Sequence, residues 1–156
     1  MGGSYKRIKE GLMNFKPDGI RQNIVKKDGI TYILDCYNAA PDSIIASFDV
    51  LNKTSGKRKI AVLGSVAELG ESRDELLYNV GSKTGDYNIN HLVTVTEDSL
   101  AINKGARESG FSNEINVSCN KEAVSYIKSI LEEGDVVLIK GSRKYKMEEI
   151  GEGLMK

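Results

Sequence analysis

The sequence has no excess of either charge: 22 Lys and Arg residues balance 22 Asp and Glu residues in a chain of 156. This balance excludes the basic footprint of a nucleic-acid binder and the polybasic anchor of a membrane-surface protein. No apolar run approaches the roughly 20 residues that span a bilayer. The amino end, Met1-Gly2-Gly3-Ser4-Tyr5-Lys6-Arg7, has no apolar stretch behind it of the kind a secretory signal carries. Cysteine is scarce. Cys36 and Cys119 are too few and too far apart for a disulfide framework, so both read as free thiols in a reducing cytoplasm. His91 is the only histidine, and at the start of an expected strand it reads as structural rather than catalytic. No residues stand at metal-ligand spacing, and there are no internal repeats or low-complexity tracts.

What is present is ordinary for a soluble globular chain, with 40% hydrophobic and 28% charged residues. The length suits one domain with a real hydrophobic core. Residues 1–4 read as a non-native remnant. Residues 6–15 form a short amphipathic stretch, with Ile8, Leu12 and Phe15 at helical spacing, stopped by Pro17-Asp18-Gly19. A hairpin is expected next, from Ile20–Val25 and Ile30–Leu34 around the turn Lys27-Asp28-Gly29.

Strands and helices then alternate. Helices are expected at 42–52, from Ser72 onward, at 99–108, at 121–132 and at 147–155, with strands at 59–63, 92–95, 115–117 and 136–139. Ser72-Arg73-Asp74-Glu75 has the S-x-x-E spacing of a capping box. Val136-Val137-Leu138-Ile139 is apolar at every position, as a parallel strand buried on both faces should be. Strands separated by helices indicate βαβ units. The expected fold is α/β: a Rossmann-like, mostly parallel sheet of five or six strands flanked by helices, with one antiparallel strand near the N-terminus.

Three polar segments follow strand ends: Asp35 to Ser43, Gly64 to Gly70 and Lys140 to Arg143. In an open α/β sheet, ligands bind beyond the carboxyl ends of the strands. Taken singly, each segment has a plainer reading. Asp35 could accept hydrogen bonds from ribose hydroxyls or simply stabilise a turn. Tyr37-Asn38 could meet a purine or be turn residues, and Pro41-Asp42-Ser43 starts a helix well. Lys140, Ser142 and Arg143 offer donors to a carboxylate or phosphate around a permissive Gly141, or form an exposed basic loop. Gly81-Ser82-Lys83-Thr84 and Ser55-Gly56-Lys57-Arg58 do not match the phosphate-loop pattern G-x-x-x-x-G-K-[ST].

Taken together the segments resemble the carboxyl-terminal domain of the Mur ligases. Asp35, Tyr37, Asn38, Ala39, Pro41 and Ser43 match D-S-Y-N-A-N-P-x-S; Ala61 to Gly70 is similar to V-L-G-D-M-x-E-L-G; Lys140 to Arg143, then Met147-Glu148, is similar to K-G-S-R…M-E-x. Ala40 in place of Asn and Ser65 in place of Asp depart from the pattern. The resemblance implies that Arg21, Asp35, Tyr37 and Asn38 face ATP. It places Lys140, Gly141, Ser142 and Arg143 at the incoming amino-acid site. Lys140 and Arg143 are expected at the exposed mouth of the fold, dispensable for the core. No catalytic residue and no metal ligand is assigned.

The branch most resembled joins D-alanyl-D-alanine to UDP-N-acetylmuramoyl-tripeptide. The resemblance implies ATP and Mg2+ as cofactors, held mainly by a central domain, and a bacterial, cytoplasmic, monomeric enzyme. Residues 5–18 would be the end of a central-domain helix and linker, and 19–156 the carboxyl-terminal domain, excised or naturally truncated. The alternatives are a non-catalytic Rossmann-like binding module and a related amide ligase with another substrate.

Overall fold

The computed structural model describes residues 23–35, 39–66 and 70–156, without the side chain of Arg143. Six strands form one sheet: β1 (Asn23–Lys27), β2 (Ile30–Asp35), β3 (Lys59–Leu63), β4 (His91–Val95), β5 (Glu114–Val117) and β6 (Val136–Lys140). Their spatial order is β1-β2-β6-β3-β4-β5, and only the β1–β2 pair is antiparallel. Asp28 and Gly29 both take positive φ, 54° and 80°, so the hairpin closes through the two-residue turn whose twist suits paired strands. Of the expected first strand, Ile20 to Gln22 lie outside the described residues, as does the stretch 6–15.

Five helices, α1 (Pro41–Lys53), α2 (Arg73–Ser82), α3 (Leu100–Glu108), α4 (Asn120–Ile130) and α5 (Glu148–Leu154), cover the sheet. Alternation within the strands divides the core in two. Ile33, Ala61, Leu63, Leu92 and Leu138 pack against α1, α2 and α3, through Phe48, Leu77 and Ile102 among others. Tyr32, Ile60, Val62, Val93, Val137 and Ile139 face the other way, onto Ala123 and Ile127 of α4 and Ile150 and Leu154 of α5. The central strands β3 and β6 are buried at every position.

Most helix ends fall within one residue of expectation, and two depart from it for a visible reason. Ser72 does not cap α2: it already has helical φ and ψ, −82° and 0°, as the last residue of a 3-10 turn from Gly70 to Ser72, and makes no side-chain cap bond. A capping hydroxyl needs the extended conformation to reach back to the first free N–H groups. That turn is admitted by Gly70 at φ 67°. Helix α4 stops at Ile130 rather than Glu132, because the Arg58 guanidinium donates to the Ile130 carbonyl at 2.6 Å and the Glu132 N–H donates to Asp135 at 2.8 Å. Arg58 also grips Asp135 with Nε at 2.9 Å and a second nitrogen at 2.7 Å.

At α1 the cap is inverted. Ala40 is extended, and the Ser43 hydroxyl accepts from the Ala40 N–H at 2.8 Å and donates to its carbonyl at 2.9 Å.

Candidate functional site

The connections from β2, β3 and β4 enter helices on one face of the sheet, while those from β5 and β6 enter helices on the other. Strand β6 lies between β2 and β3, so its exit diverges from both neighbours. Such a divergence opens a crevice at the carboxyl edge. Register fixes what meets there: Asp35 stands opposite Lys140, and Lys140 opposite Leu63.

Asp35 and Lys140 are thus one unit. Lys140 Nζ donates to Asp35 Oδ2 at 2.8 Å, with only 3% and 4% of the two side chains exposed. Both point to the α1 face, since Ile33 and Leu138, two residues earlier in each strand, do so as well. The Ser47 hydroxyl of α1 lies 3.2 Å from the same Oδ2 and 2.9 Å from the Ser43 carbonyl, so its single proton is shared between them. Asp35 Oδ1 is buried and has no hydrogen-bond partner among the described residues.

This corrects the expectation that Lys140 is an exposed mouth residue dispensable for the core. Its alkyl stem and ammonium lie under α1, because the alternation of β6 turns every second side chain toward that helix and the strand is covered on both faces. Breaking such a buried pair costs about 3–5 kcal/mol, against the roughly 0.5 kcal/mol of a surface truncation.

The neighbouring exits are held by close backbone approach. A Cβ on Gly64 would lie 2.8 Å from Met147 Sδ, and one on Gly141 would lie 2.7 Å from Met147 Cγ and 3.1 Å from the Gly64 backbone. Neither glycine has a positive φ. Their small size lets Met147 lie over two adjacent strand ends, so Gly141 is explained by packing within the chain. The Gly64 N–H donates to Lys140 O at 2.8 Å and the Ser142 N–H to Ser65 O at 3.2 Å, extending the β3–β6 pairing into the mouth. Ser142 is buried. Ser65, a departure from the expected motif, is fully buried and donates to the Asp98 carbonyl at 3.1 Å.

The fourth strand end was missed in the sequence. Thr96 follows β4 with φ 70° and ψ 160°, a region that β-branched residues almost never occupy. Its N–H donates to Val117 O at 2.8 Å, and its carbonyl accepts from Asn116 Nδ2 at 2.9 Å. Beyond it, Asp98 receives the Tyr145 hydroxyl at 3.0 Å and approaches Arg73 at 3.5 Å. Burial, and to a lesser degree Asp98, push the Tyr145 hydroxyl above its ordinary pKa, against a hydrogen bond with Ser65 that lowers it. An open cleft of about 630 Å3 lies alongside, lined by Thr96, Glu97, Asp98, Asn116, Ser118 and Glu122. The available signal was positional: Glu97-Asp98-Ser99 follows a strand end just as the other polar segments do.

Arg21, Tyr37 and Asn38 lie outside the described residues, as do Cys36 and Glu68. Arg143 opens a 3-10 turn to Tyr145. Cys119 is an exposed free thiol. His91 sits at the opposite, amino edge of the sheet, where burial, and secondarily the Arg58 charge, lower its pKa. Among the described residues, no group of three or more His, Cys, Asp and Glu is placed to hold a metal, and no helix is long and apolar enough to cross a membrane.

Fold and mouth together define a doubly wound α/β domain with a polar crevice at its switch point. The family model for the Mur ligase, glutamate ligase domain, matches residues 20–143, and the chain belongs to that family. Among similar proteins, UDP-N-acetylmuramoyl-tripeptide--D-alanyl-D-alanine ligase of Bacillus subtilis is 29% identical over 149 residues, which are 94% of this chain and 33% of that protein. A crystal structure of MurF from Acinetobacter baumannii superposes with a TM-score of 0.79 at 27% identity, covering 99% of this chain and 34% of the other. MurF ligase from Thermotoga maritima in complex with ADP gives a TM-score of 0.74 at 25% identity, covering 86% and 30%. The chain therefore spans about a third of the length of these relatives.

Proposed function

We propose that this chain is the carboxyl-terminal domain of an ATP-dependent ligase that joins D-alanyl-D-alanine to UDP-N-acetylmuramoyl-tripeptide in the bacterial cytoplasm, during synthesis of peptidoglycan precursors. Residues 19–156 are that domain, and 5–18 lead into it from a central domain that holds most of the ATP and Mg2+. The single observation that carries the reading is Asp35. It belongs to the family motif, stands at the switch point, and keeps one buried carboxylate oxygen without a partner among the described residues. A pair of ribose hydroxyls supplies the donors that oxygen lacks.

Arg21, Tyr37 and Asn38 complete the nucleotide side, while Gly141, Ser142 and Arg143 border the dipeptide. Lys140 departs from this division, since its ammonium is committed to Asp35. The domain's part in catalysis is positioning: closing over the nucleotide assembles a site whose chemistry is charge neutralisation around an acyl phosphate.

The test is the product of the complete gene, supplied with ATP, Mg2+, the tripeptide nucleotide and D-alanyl-D-alanine. Amide formation with stoichiometric ADP release is expected, and Arg143→Ala should lower kcat/KM for the dipeptide. The 156-residue chain alone should turn over no ATP, because it contains no phosphate-loop motif. A complete gene product that ignores the dipeptide, or ATP turnover by the chain alone, would overturn the reading.

A further inference from the structure

The ion pair between Asp35 and Lys140 joins two segments whose motifs point to different ligands. We infer that Lys140, with Ser47 as a weaker second, is a positioning residue for the nucleotide side of the site: it anchors Asp35 Oδ2, so that Oδ1 is the oxygen left to accept from a vicinal diol. This inference rests on the nucleotide reading given above and assigns a role within it.

Three observations carry it. Both side chains are buried, so the carboxylate cannot choose its orientation by solvation. The two donors found near Asp35, Lys140 Nζ at 2.8 Å and the Ser47 hydroxyl at 3.2 Å, converge on the same oxygen, Oδ2. The other oxygen, though also buried, has none. A buried acceptor without a donor carries a desolvation cost. A diol hydroxyl arriving at the carboxyl edge removes that cost, and the removal becomes binding preference. Without Lys140 the carboxylate has no counter-ion among the described residues, and only the longer Ser47 contact is left to fix which oxygen faces the incoming donor.

Lys140 differs in kind from a surface lysine at a binding mouth. A mouth lysine would contribute through its own contact with the ligand and would respond to salt. Lys140 acts through a buried carboxylate, so its removal should change selectivity for the ribose hydroxyls more than overall attraction to phosphate.

The experiment compares ADP with 2′,3′-dideoxy-ADP binding to the 156-residue chain by NMR titration. Both are measured for the unchanged chain and for Lys140→Met and Ser47→Ala, with thermal unfolding of each. The unchanged chain should prefer ADP by about tenfold, the lower end of what one charge-assisted hydrogen bond provides. Lys140→Met should bring the preference close to one, and Ser47→Ala should reduce it partially. If the unchanged chain shows no preference, the nucleotide reading of Asp35 fails and this inference fails with it. If the preference exists and both folded variants keep it, only the positioning role is overturned. Should Lys140→Met not fold, Ser47→Ala decides: an undiminished preference overturns the inference.

Discussion

Helices α2 and α3 touch backbone to backbone, and replacing Gly105 with alanine should force them apart. A Cβ at Gly105 would lie 2.0 Å from the Tyr78 carbonyl oxygen and 3.1 Å from the Ser82 nitrogen. Gly81 mirrors it, with a Cβ 1.9 Å from the Ile102 carbonyl oxygen. A carbon needs about 3.3 Å from an oxygen, as in the closest Cα–H···O contacts, so the helices must separate by more than 1 Å. No flexible side chain can give way, because the obstacles are main-chain atoms. Separation thins the packing of Leu77, Val80, Ile102 and Ala106, all buried at this interface.

Two effects of opposite sign compete. Alanine in a helix interior gains about 1 kcal/mol over glycine, whereas overpacking a well-filled core costs about 1–3 kcal/mol, and more when the backbone must move. The clash should win, giving a net loss of about 2 kcal/mol for Gly105→Ala, or roughly 4–8 °C in Tm for a domain of this size. Gly85→Ala is the control. It has no atom within 4 Å of the added carbon, so it should be neutral or slightly stabilising. Gly81→Ala and Gly105→Ala combined should cost less than the sum, because the first already opens the gap the second needs. Urea and thermal unfolding followed by circular dichroism measure all four. A Gly105→Ala chain as stable as Gly85→Ala would refute the close helix contact.

Arg58→Ala should cost about 3 kcal/mol, since it leaves the Asp135 carboxylate, 1% exposed, without its counter-ion. Lys53→Ala, which breaks the exposed pair with Asp49, should shift the urea midpoint by no more than about 0.5 kcal/mol equivalent. Stability should also fall with pH in two stages. His91 has its pKa lowered in the fold, so the unfolded chain binds its proton first and stability drops as pH falls through about 6.5. Burial alone would raise the pKa of Asp135, but hydrogen bonds from Arg58 and the Glu132 N–H, with the Arg58 charge, hold it below its ordinary value. Its contribution is therefore lost only in a further, more acidic stage below about pH 4. Urea midpoints from pH 8 to 5 should flatten in His91→Gln; an unchanged slope would remove His91 from the account.

The strands were legible because each is a short apolar run bounded by turn residues: β3 was expected at 59–63 and lies there. Helix α1 was expected at 42–52 and extends one residue further at each end. What the linear pattern could not carry was direction. Lys140 ends an apolar strand and precedes a glycine, which reads as an exit into solvent, yet strand alternation turns its side chain under α1 to meet Asp35, 105 residues away. Capping failed for a related reason. Ser72 has the right neighbours, but a 3-10 turn beginning at Gly70 gives it helical rather than extended φ and ψ just before α2. The Asp98–Tyr145 contact was illegible because it joins residues 47 apart on two different strand exits, and the exit that carries Asp98 has no motif of its own.

The placement of β6 has a consequence for how the chain matures on the ribosome. Strands β2 and β3 do not pair with each other; both pair with β6, which among the described residues is the last strand and the only bridge between them. Until residues 136–140 emerge, β2 has only β1 of its two neighbours and β3 only β4, so each is left with an unsatisfied edge. Such edges are templates for wrong pairing with other chains. A polypeptide halted before Val136 should therefore be prone to aggregate rather than merely less stable. The same late insertion delivers Lys140 to Asp35, so their buried ion pair cannot exist in a partly synthesised domain.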